Sequence, residues 1–422
     1  MKTSFISIIA STVLLLGNIF AGGGDSSMAK TEFVPDWAKD AVWYQVFPER
    51  FRNGNRDNDP KIENLKGAYP HDITSPWQIH PWESDWYELQ PYEKGNGKDI
   101  WFNLQRRRYG GDLQGVIDKL GYIKDLGINA IYLNPVFQAP SLHKYDGISF
   151  HHVDPNFGNN PEADRELISS ESFDDPTTWK WTNADKLVLE LIQKAHKLGI
   201  RVIFDGVFNH MGISSIPFRD VVENQEKSRF KNWFSIKSFE DKEKGTKFEY
   251  EGWFGVKELP EIKEDDNGIV TEPKKYIFDI TKRWMDPNGD GNPADGIDGW
   301  RLDVAFCIKH PFWKDWRSHV KSINNEAYLT AEVIDPIDVI EPYLQGDEFD
   351  AVMNYNFGFA CADFILAEKT RISASEFDEK LAELRSAFPG GVEYVQQNLF
   401  GSHDANRIGS HAMNADLGRY GN

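Results

Sequence analysis

The sequence predicts an α/β fold of parallel βαβ units, because short apolar strands alternate with amphipathic helices along most of the chain. Seven strand-like runs follow this rhythm, near residues 42, 129, 201, 298, 327, 349 and 393. Polar side chains follow the carboxyl ends of these runs, where a (β/α)8 barrel or a doubly wound sheet places its functional site. An eighth strand would close a barrel, but the chain stops at Asn422, so we expect a C-terminal truncation.

The composition indicates a folded globular protein and narrows the range of its partners. The 422 residues suffice for one large catalytic domain with insertions, or for two or three average domains. Apolar residues make up 40% of the chain and aromatic residues 14%, as in folded proteins. The formal charge of −19 argues against nucleic acids and anionic membranes as partners, whereas the many aromatic faces suit stacking on sugar rings.

The N-terminus has the pattern of a secretory signal peptide, expected to cover residues 1–21. A basic Lys2 precedes an apolar run from Phe5 to Leu16, and the small Ala21 follows. The apolar run is too short for a stable membrane span, although an uncleaved N-terminal anchor is the alternative. We therefore expect a linker over residues 22–36 and export to the periplasm or the medium, without stable membrane insertion.

The first part of the predicted barrel covers residues 37–210. The run "AVWYQVFPERF" predicts a buried strand, and the helical pattern "GGDLQGVIDKLGYIKDLG" ends at Gly127 before the strand "INAIYLNPV". A second helical pattern, "NADKLVLELIQKAHKLG", ends at Gly199 and leads into the strand "IRVIFDGVFNH". Residues 211–283 break this rhythm and are rich in Phe, Trp, Lys and Glu, so we expect an inserted subdomain after the third strand.

The second part of the predicted barrel covers residues 284–422. Its strand-like runs are "GIDGWRLDVA", "AYLTAEVI", "FDAVMNY" and "EYVQQNLFGSHDANR", with helical segments near 312–324 and 375–388 between them. The chain has two cysteines, Cys307 and Cys361, which predict either one disulfide or two buried free thiols.

Two acidic residues at consecutive strand ends suit glycosidic-bond cleavage with retention of configuration. That chemistry requires an ionised nucleophile and a protonated carboxyl group about 5 Å apart. Asp303 and Glu332 end consecutive strands, and neighbouring parallel strands lie about 4.8 Å apart. Arg301 points to the same side of its strand as Asp303, so its cation can keep that carboxylate ionised and oriented.

Four ordered motifs resemble the signature regions of the α-amylase family of glycoside hydrolases. They are "DGVFNH" at 205–210, "GWRLDVA" at 299–305, "AEVI" at 331–334 and "FGSHDANR" at 400–407. The stretch "YLNPVFQAPSLHKYDGISFHHVDPNFG" is similar to the region after the second strand in the neopullulanase and cyclomaltodextrinase branch. The resemblance covers roughly residues 40 to 410 and implies a TIM barrel in which residues 211–283 are domain B.

The same resemblance implies roles for individual residues. Asp303 is the expected nucleophile, Glu332 the general acid/base and Asp404 the third carboxylate, which holds the distorted sugar. The expected substrate-binding residues are Tyr145, His143, Asp146, His210, Arg301, His403 and Arg407. For Asp205 and Arg407, a framework ion pair or a turn is an equally good interpretation.

Two loops are rich in the oxygen donors that calcium prefers over softer ligands. The first, "NGNRDND", offers Asn53, Asn55, Asn58 and Asp59, and the resemblance adds the Gly110 carbonyl and Asp112. The second, "DPNGDGN", places Asp286, Asn288, Asp290 and Asn292 as in the first half of an EF-hand loop, with Asp295 a weaker addition. Position 12 of that loop is Ile297, which excludes a complete EF-hand. Plain Asn/Asp turns are the alternative for both loops.

The leading functional hypothesis is a retaining hydrolase of α-1,4 bonds in starch-like α-glucans or maltooligosaccharides. Neopullulanase, cyclomaltodextrinase or transglycosylase specificity is the alternative within the class. A carbohydrate-binding barrel without activity is a hypothesis from another class, which the three intact carboxylates disfavour. A metal-dependent phosphoesterase would require two bridged metals and no arginine beside the nucleophile.

Overall fold

The computed structural model describes residues 32–414 of the chain. The predicted signal peptide and the first part of the linker therefore lie outside the described residues. Within the described part, no helix is both long and apolar enough to cross a membrane. Cys307 and Cys361 are both free thiols, as in the second predicted alternative, but only Cys361 is buried and Cys307 is half-buried.

In chain order, the strands of the described residues are β1 (Trp43–Val46), β2 (Ala130–Leu133), β3 (Arg201–Gly206), β4 (Ile236–Ser238), β5 (Glu249–Tyr250), β6 (Glu264–Asp265), β7 (Gly268–Ile269), β8 (Gly299–Leu302), β9 (Tyr328–Ala331), β10 (Ala351–Asn354) and β11 (Gln397–Asn398). The α-helices are α1 (Pro91–Lys94), α2 (Ile100–Arg106), α3 (Leu113–Asp118), α4 (Leu120–Asp125), α5 (Pro161–Ser169), α6 (Asn183–Lys197), α7 (Ile216–Asn224), α8 (Thr271–Met285), α9 (His310–Ile323), α10 (Ile337–Ile340), α11 (Tyr355–Ile365), α12 (Ala374–Ser386) and α13 (Ile408–Met413).

Seven parallel strands form the central sheet in the order β1-β2-β3-β8-β9-β10-β11. The predicted barrel fold is confirmed, since this is the strand order of a (β/α)8 barrel that lacks one strand among the described residues. Every residue of β2, β8, β9 and β10 is buried, because helices cover the outer face and side chains fill the interior. Strand β1 lies at one edge of the sheet and is only partly buried.

The helix predicted to end at Gly127 forms as two short helices, α3 and α4, which meet at Lys119. Helix α3 can lie close to the loop after β1 because residue 115 is a glycine. A Cβ atom at Gly115 would overlap the carbonyl oxygen of Arg52, so only glycine fits there. Helix α6 matches its prediction, with a capping box between Thr182 and Asp185 at its start.

The segment between β3 and α8 contains α7 and two small antiparallel sheets, β4–β5 and β6–β7. Helix α8 buries Tyr276, Ile277, Ile280 and Trp284, and the Trp284 ring lies 5.7 Å from that of Phe204 in β3. The predicted subdomain boundary at residue 283 therefore falls inside a helix that packs on the barrel, and we place the end of the insertion at Val270. The many charged residues on the outer face of α8 hid its amphipathic pattern in the sequence.

Candidate active site

The two acidic residues predicted to form the catalytic pair lie side by side at the carboxyl end of the sheet. The register pairs Leu302 with Ala331, so Asp303 and Glu332 follow at equivalent positions of β8 and β9. The backbone N–H of Glu332 donates to the Leu302 carbonyl at 2.9 Å, which continues the strand pairing to the site itself. Both side chains are buried, with 7% and 6% of their surface exposed.

The guanidinium of Arg301 forms ion pairs with both of these carboxylates and with Asp205. Its Nη1 lies 2.8 Å from Asp303 Oδ1 and 2.9 Å from Asp205 Oδ1, and its Nη2 lies 2.8 Å from Glu332 Oε2. Arg301 is fully buried and positions the carboxylates, and its predicted role as a substrate-binding residue stays a prediction. Asp205 forms an ion pair with Arg301, which is the framework role that was one of its two predicted interpretations. It also accepts hydrogen bonds from Tyr132 and Tyr145.

Three carboxylates share the single positive charge of Arg301, and this excess of negative charge affects their protonation. Burial raises the pKa of Asp303 well above its usual range, Arg301 opposes that shift, and Glu332 and Asp205 add to it. Asp303 therefore keeps a proton to a higher pH than a solvent-exposed aspartate does. The guanidinium of Arg301 lies 2.8 Å from both Asp303 and Glu332, so these distances do not distinguish the two carboxylates.

Val304 holds Glu332 in place through its backbone. It follows Asp303 and adopts a left-handed conformation with φ of 38° and ψ of 47°, which is rare for a β-branched residue. In this conformation its N–H donates to Glu332 Oε2 at 2.9 Å. Local backbone strain at this point therefore contributes to the placement of Glu332.

Tyr145 and His403 form a stacked pair near Arg301, whose Cζ lies 5.8 Å from the centre of the Tyr145 ring. Their rings are 5.5 Å apart and nearly parallel, at 7°, and the Tyr145 hydroxyl lies 2.9 Å from His403 Nε2. Burial, Arg301 and Arg407 lower the pKa of His403 to about 3, so the ring is neutral at physiological pH. His403 can therefore contribute a hydrogen bond to a ligand and no charge.

Two amides that the sequence reasoning missed orient His403. Gln45 Nε2 lies 3.0 Å from His403 Nδ1, and Asn134 Nδ2 lies 3.2 Å from the Tyr145 hydroxyl oxygen, to which it donates. Gln45 is in β1 and Asn134 follows β2, so both occupy the same end of the sheet as Asp303. A polar amide inside or directly after an apolar strand was the sequence signal that could have revealed them.

The third carboxylate lies at the rim of the site. Asp404 Oδ2 is 3.2 Å from His403 Nε2, and the Asp404 side chain is 39% exposed. Burial of the remainder and the neighbouring Glu332 raise the pKa of Asp404 to about 6. Arg407, predicted to bind substrate, is exposed, and its guanidinium donates to the carbonyl of Ser402, so it closes the loop that carries Asp404.

His143 and Asp146 hold the loop of Tyr145 in place. Asp146 accepts hydrogen bonds from the hydroxyl and the N–H of Ser141, and its pKa is raised by burial to about 6. His143 Nδ1 accepts from the N–H of Tyr145 at 3.1 Å, and burial lowers the pKa of His143 to about 3. Both predicted substrate-binding residues thus have structural bonds that fix the position of Tyr145.

His210 connects the barrel to the inserted segment. Its Nε2 lies 3.2 Å from the Tyr145 carbonyl oxygen, and burial lowers its pKa to about 4. A backbone bridge pairs His210 with Glu261, so the inserted segment reaches the loop that follows β3. The exposed rings of Phe254 and Phe306 lie 6.4 Å apart beside this junction, and neither was predicted from the sequence.

The first predicted calcium loop is folded around buried amides. Asn53 and Asn58 each bury a side-chain oxygen that has no hydrogen-bond partner among the described residues. The other amide atoms are engaged: Asn53 Nδ2 donates to Asp59 at 2.6 Å, and Asn58 Nδ2 donates to the Gly158 carbonyl at 2.9 Å. Unpaired buried oxygens are costly unless a cation or water meets them, so the donor set fits a hard cation.

Asp112 organises this loop through hydrogen bonds. Its Oδ1 accepts from the N–H groups of Gly54 and Gly115, and its Oδ2 accepts from the N–H of Asn55 at 2.8 Å and from Asn58. Asn55 Oδ1 accepts from the N–H of Asp57. A ligand role for Asp112, Asn55 and the Gly110 carbonyl stays a prediction.

The second predicted loop forms a series of short polar turns. The side chains of Asn288, Asp290 and Asn292 each accept a hydrogen bond from a backbone N–H two residues further on. Asp286 and Asp295 each bury one oxygen without a hydrogen-bond partner within residues 32–414. The turn interpretation thus accounts for three of these side chains, and the two acidic residues stay open to a cation.

Comparison with known proteins agrees with this geometry. The family described as "Alpha amylase, catalytic domain" matches residues 45–172 and 181–420. The cyclomaltodextrinase of Geobacillus thermopakistaniensis (strain MAS1) is 37% identical over 374 residues, covering 89% of this chain and 51% of that protein. Neopullulanase 2 of Thermoactinomyces vulgaris is 35% identical over 379 residues, covering 89% and 52%.

A solved structure is similar to this chain in its fold as well as in its sequence. The ligand-free cyclic α-maltosyl-(1→6)-maltose hydrolase of Arthrobacter globiformis has a TM-score of 0.68 and 31% identity, and the match covers 91% of this chain and 70% of that one. The chain spans about half the length of the curated relatives it matches. On the family match and the carboxylate geometry together, the chain belongs to the α-amylase family of glycoside hydrolases.

Proposed function

We propose that the protein hydrolyses α-1,4-glucosidic bonds of starch-like α-glucans or maltooligosaccharides with retention of configuration. The observation that carries this proposal is the pair of buried carboxylates, Asp303 and Glu332, at adjacent strand ends and joined through Arg301. Retaining glycosidases require such a close pair, because one carboxylate must attack the anomeric carbon directly.

In the first step, a carboxylate oxygen of Asp303 forms a bond to the anomeric carbon while the bond to the glycosidic oxygen breaks. The proton on Glu332 passes to that oxygen, and the shortened glucan leaves as an alcohol. In the second step, Glu332 takes a proton from water, whose oxygen bonds to the anomeric carbon and releases Asp303. The exposed Asp404 supports the distorted sugar through hydrogen bonds to its hydroxyl groups.

Arg301 supports the role of Asp303 in the first step. Its guanidinium opposes the rise in the pKa of Asp303 and so stabilises the ionised form that attacks the sugar. The neutral rings of His210 and His403 bind sugar hydroxyl groups without adding positive charge. Transfer of the glycosyl group to a sugar hydroxyl in place of water uses the same intermediate.

Relatives named cyclomaltodextrinase and neopullulanase support a second specificity within the same chemistry. The exposed Phe254 and Phe306 offer an aromatic surface at the junction of barrel and insertion, where a curved or branched glucan could stack. A phosphoesterase is disfavoured because the guanidinium of Arg301 occupies the position that bridging metals would take between the carboxylates.

Product analysis on starch, pullulan and cyclodextrin distinguishes these specificities. We expect the first released product to be the α-anomer, detected by NMR before mutarotation. The Asp303→Asn variant should lose activity by several orders of magnitude, because the amide cannot form the glycosyl ester. Unchanged activity in that variant would contradict the mechanism. Initial release of the β-anomer would indicate inversion instead.

We also propose that the first loop binds a structural calcium ion through Asn53, Asn58 and Asp59, with Asn55, the Gly110 carbonyl and Asp112 as further predicted members. The two unpaired buried amide oxygens support this site. The second loop is a weaker candidate, supported by the unpaired oxygens of Asp286 and Asp295. When bound, calcium would supply charge neutralisation and loop rigidity, and the catalytic residues act without it.

Export is our proposal for localisation, based on the signal pattern of residues 1–21. A 36% identical relative from Bacillus subtilis is named an intracellular maltogenic amylase, so retention in the cell is the alternative. N-terminal sequencing of the protein from culture fluid and from cells decides between them. We expect cleavage after Ala21 in the exported form.

A further inference from the structure

His151, His152 and Glu171 form a cluster that the proposed mechanism does not use. Each offers one ligand atom, and these atoms all lie within 4.8 Å of one another. Glu171 Oε2 is 2.7 Å from His152 Nε2 and 3.9 Å from His151 Nε2. A tetrahedral ion with bonds of about 2.1 Å holds its ligands about 3.4 Å apart, which lies between the two observed separations.

The outer nitrogen of each imidazole already has a partner. His152 Nδ1 lies 2.8 Å from Asp185 Oδ2, and His151 Nδ1 lies 2.8 Å from the Tyr276 hydroxyl. Metal-binding histidines almost always use their second nitrogen in this way, because the bond fixes the tautomer and the ring orientation. Both Nε2 atoms are thereby directed to the side where Glu171 lies.

Further contacts hold these groups rigidly. Asp185 also accepts from the N–H of Val153 at 2.8 Å, and Arg283 lies 3.2 Å from its Oδ2. Glu171 Oε1 accepts from the N–H of Lys180 at 2.7 Å. The ring of His151 stacks on Trp179 at 4.3 Å. The three ligand side chains are almost completely buried, so an ion would enter a site whose geometry is already set.

We propose that His151, His152 and Glu171 bind a divalent transition-metal ion of the zinc type, with a water molecule in the fourth position. Two imidazoles and one carboxylate suit zinc or cobalt and do not suit calcium, which prefers an all-oxygen shell. This site is independent of the calcium loops and of the proposed activity. It would join the segment after β2 to the end of α5 and would stabilise the loop that carries Tyr145.

The test measures metal binding directly, on the full chain without a histidine tag. After dialysis against a chelator, zinc sulfate is added in the presence of excess calcium, which saturates the oxygen loops. We expect about one tightly bound zinc ion per chain by mass spectrometry of the metal content and a higher Tm with rising zinc concentration. Cobalt in place of zinc should give the visible absorption bands of a four-coordinate ion.

Conservative variants identify the ligands. Glu171→Gln keeps an acceptor for Lys180 and His151→Phe keeps the stacking on Trp179, and each should abolish stoichiometric zinc binding. Tyr276→Phe removes the hydroxyl that meets His151 Nδ1 and also accepts from the N–H of Phe150, and it should weaken zinc affinity by about 10- to 100-fold. The matched control is His319→Phe, since His319 also stacks on a ring, that of Phe278 at 4.6 Å, and lies outside the cluster.

An alternative arrangement accounts for the short distances without a metal. In it, His152 carries a positive charge and donates to both Glu171 and Asp185. Absence of zinc binding to the folded wild-type chain would establish that arrangement and overturn the proposal. Equal zinc binding in Glu171→Gln, His151→Phe and the control would also overturn it, because the ion would then lie elsewhere. Circular dichroism of each variant shows that a loss of binding is not a loss of folding.

Discussion

At the scale of single residues, the proposed chemistry depends on Arg301 and on the carboxylates of Asp205, Asp303 and Glu332 around it. Arg301 contacts all three carboxylates, yet only Asp303 and Glu332 end adjacent strands where a sugar can reach them. Asp205 is tied by two tyrosine hydroxyl groups as well, so it serves as a fixed counter-charge. The proposed catalytic pair is thus defined by access of the sugar as much as by charge.

Replacement of the acid/base residue should affect substrates according to their leaving groups. Glu332→Gln is expected to lower kcat on maltooligosaccharides by about 100- to 10,000-fold, because the departing alcohol is no longer protonated. An aryl maltoside, whose phenolate leaves without a proton, should show a smaller decrease in the rate of the first step. Burst kinetics measures that step, and equal losses on both substrates would contradict the role of Glu332.

Buried neutral histidines predict a loss of stability in acid. The folded-state pKa of His403 is lowered to about 3 and that of His210 to about 4, both below the usual value near 6.5. The unfolded chain therefore binds more protons, and the free energy of unfolding should fall as pH drops from about 6.5 towards 4. Urea unfolding at pH 7 and pH 5 measures this change.

His403→Gln should reduce that dependence on pH, since glutamine does not titrate. The control variant is His411→Gln, which replaces a half-buried histidine in α13, outside the site. A wild-type difference that persists fully in His403→Gln would show that this histidine does not contribute.

At the scale of secondary structure elements, the contact between α3 and the loop after β1 can be tested with two glycines. Gly115→Ala should destabilise the protein by about 1–3 kcal/mol, because the new Cβ overlaps the carbonyl oxygen of Arg52. A Cβ atom added at Gly121 in α4 would meet no other atom within 4 Å. Gly121→Ala should therefore be neutral or stabilising by about 0.5–1 kcal/mol. Denaturant unfolding of both variants measures the contrast, and equal effects would contradict the close approach.

Strands β8 and β9 also determine the orientation of the acid/base residue. Their parallel register places Glu332 beside Asp303, and the left-handed turn at Val304 directs a backbone N–H to Glu332. Sequence patterns located both strands, but the conformation of Val304 could not be predicted. A β-branched residue rarely adopts a positive φ, and here the surrounding structure imposes it.

At the scale of the whole molecule, calcium is expected to stabilise the fold without entering the reaction. Removal with a calcium-selective chelator should lower Tm, and added calcium should restore it, because binding occurs only in the folded state. Asp59→Asn should reduce the calcium-dependent part of Tm, whereas the exposed Asp57→Asn serves as the control. Differential scanning fluorimetry measures these values, and a Tm that does not respond to chelator would contradict the site.

Much of the architecture was accessible from the sequence, for an identifiable reason. Strand and helix periodicity depend on local burial, so the seven strands and helices such as α6 were predicted close to their observed positions. The end of the insertion was placed wrongly, because α8 carries many charged residues on its outer face. Gln45 and Asn134 had a signal in the sequence, an amide at an apolar strand, that was not used, whereas Phe254 and Phe306 were missed because isolated aromatic residues have no distinctive spacing.

The sequence by itself determined the fold class, the family and the three carboxylates, because these depend on periodicity and on motifs that follow one another along the chain. Only the tertiary structure decided that Arg301 is buried beneath the carboxylates and that Arg407 closes its own loop. It also brought His151 and His152 to Glu171, on a different element of the chain. Contacts of this kind depend on how distant segments pack, and no local pattern records them.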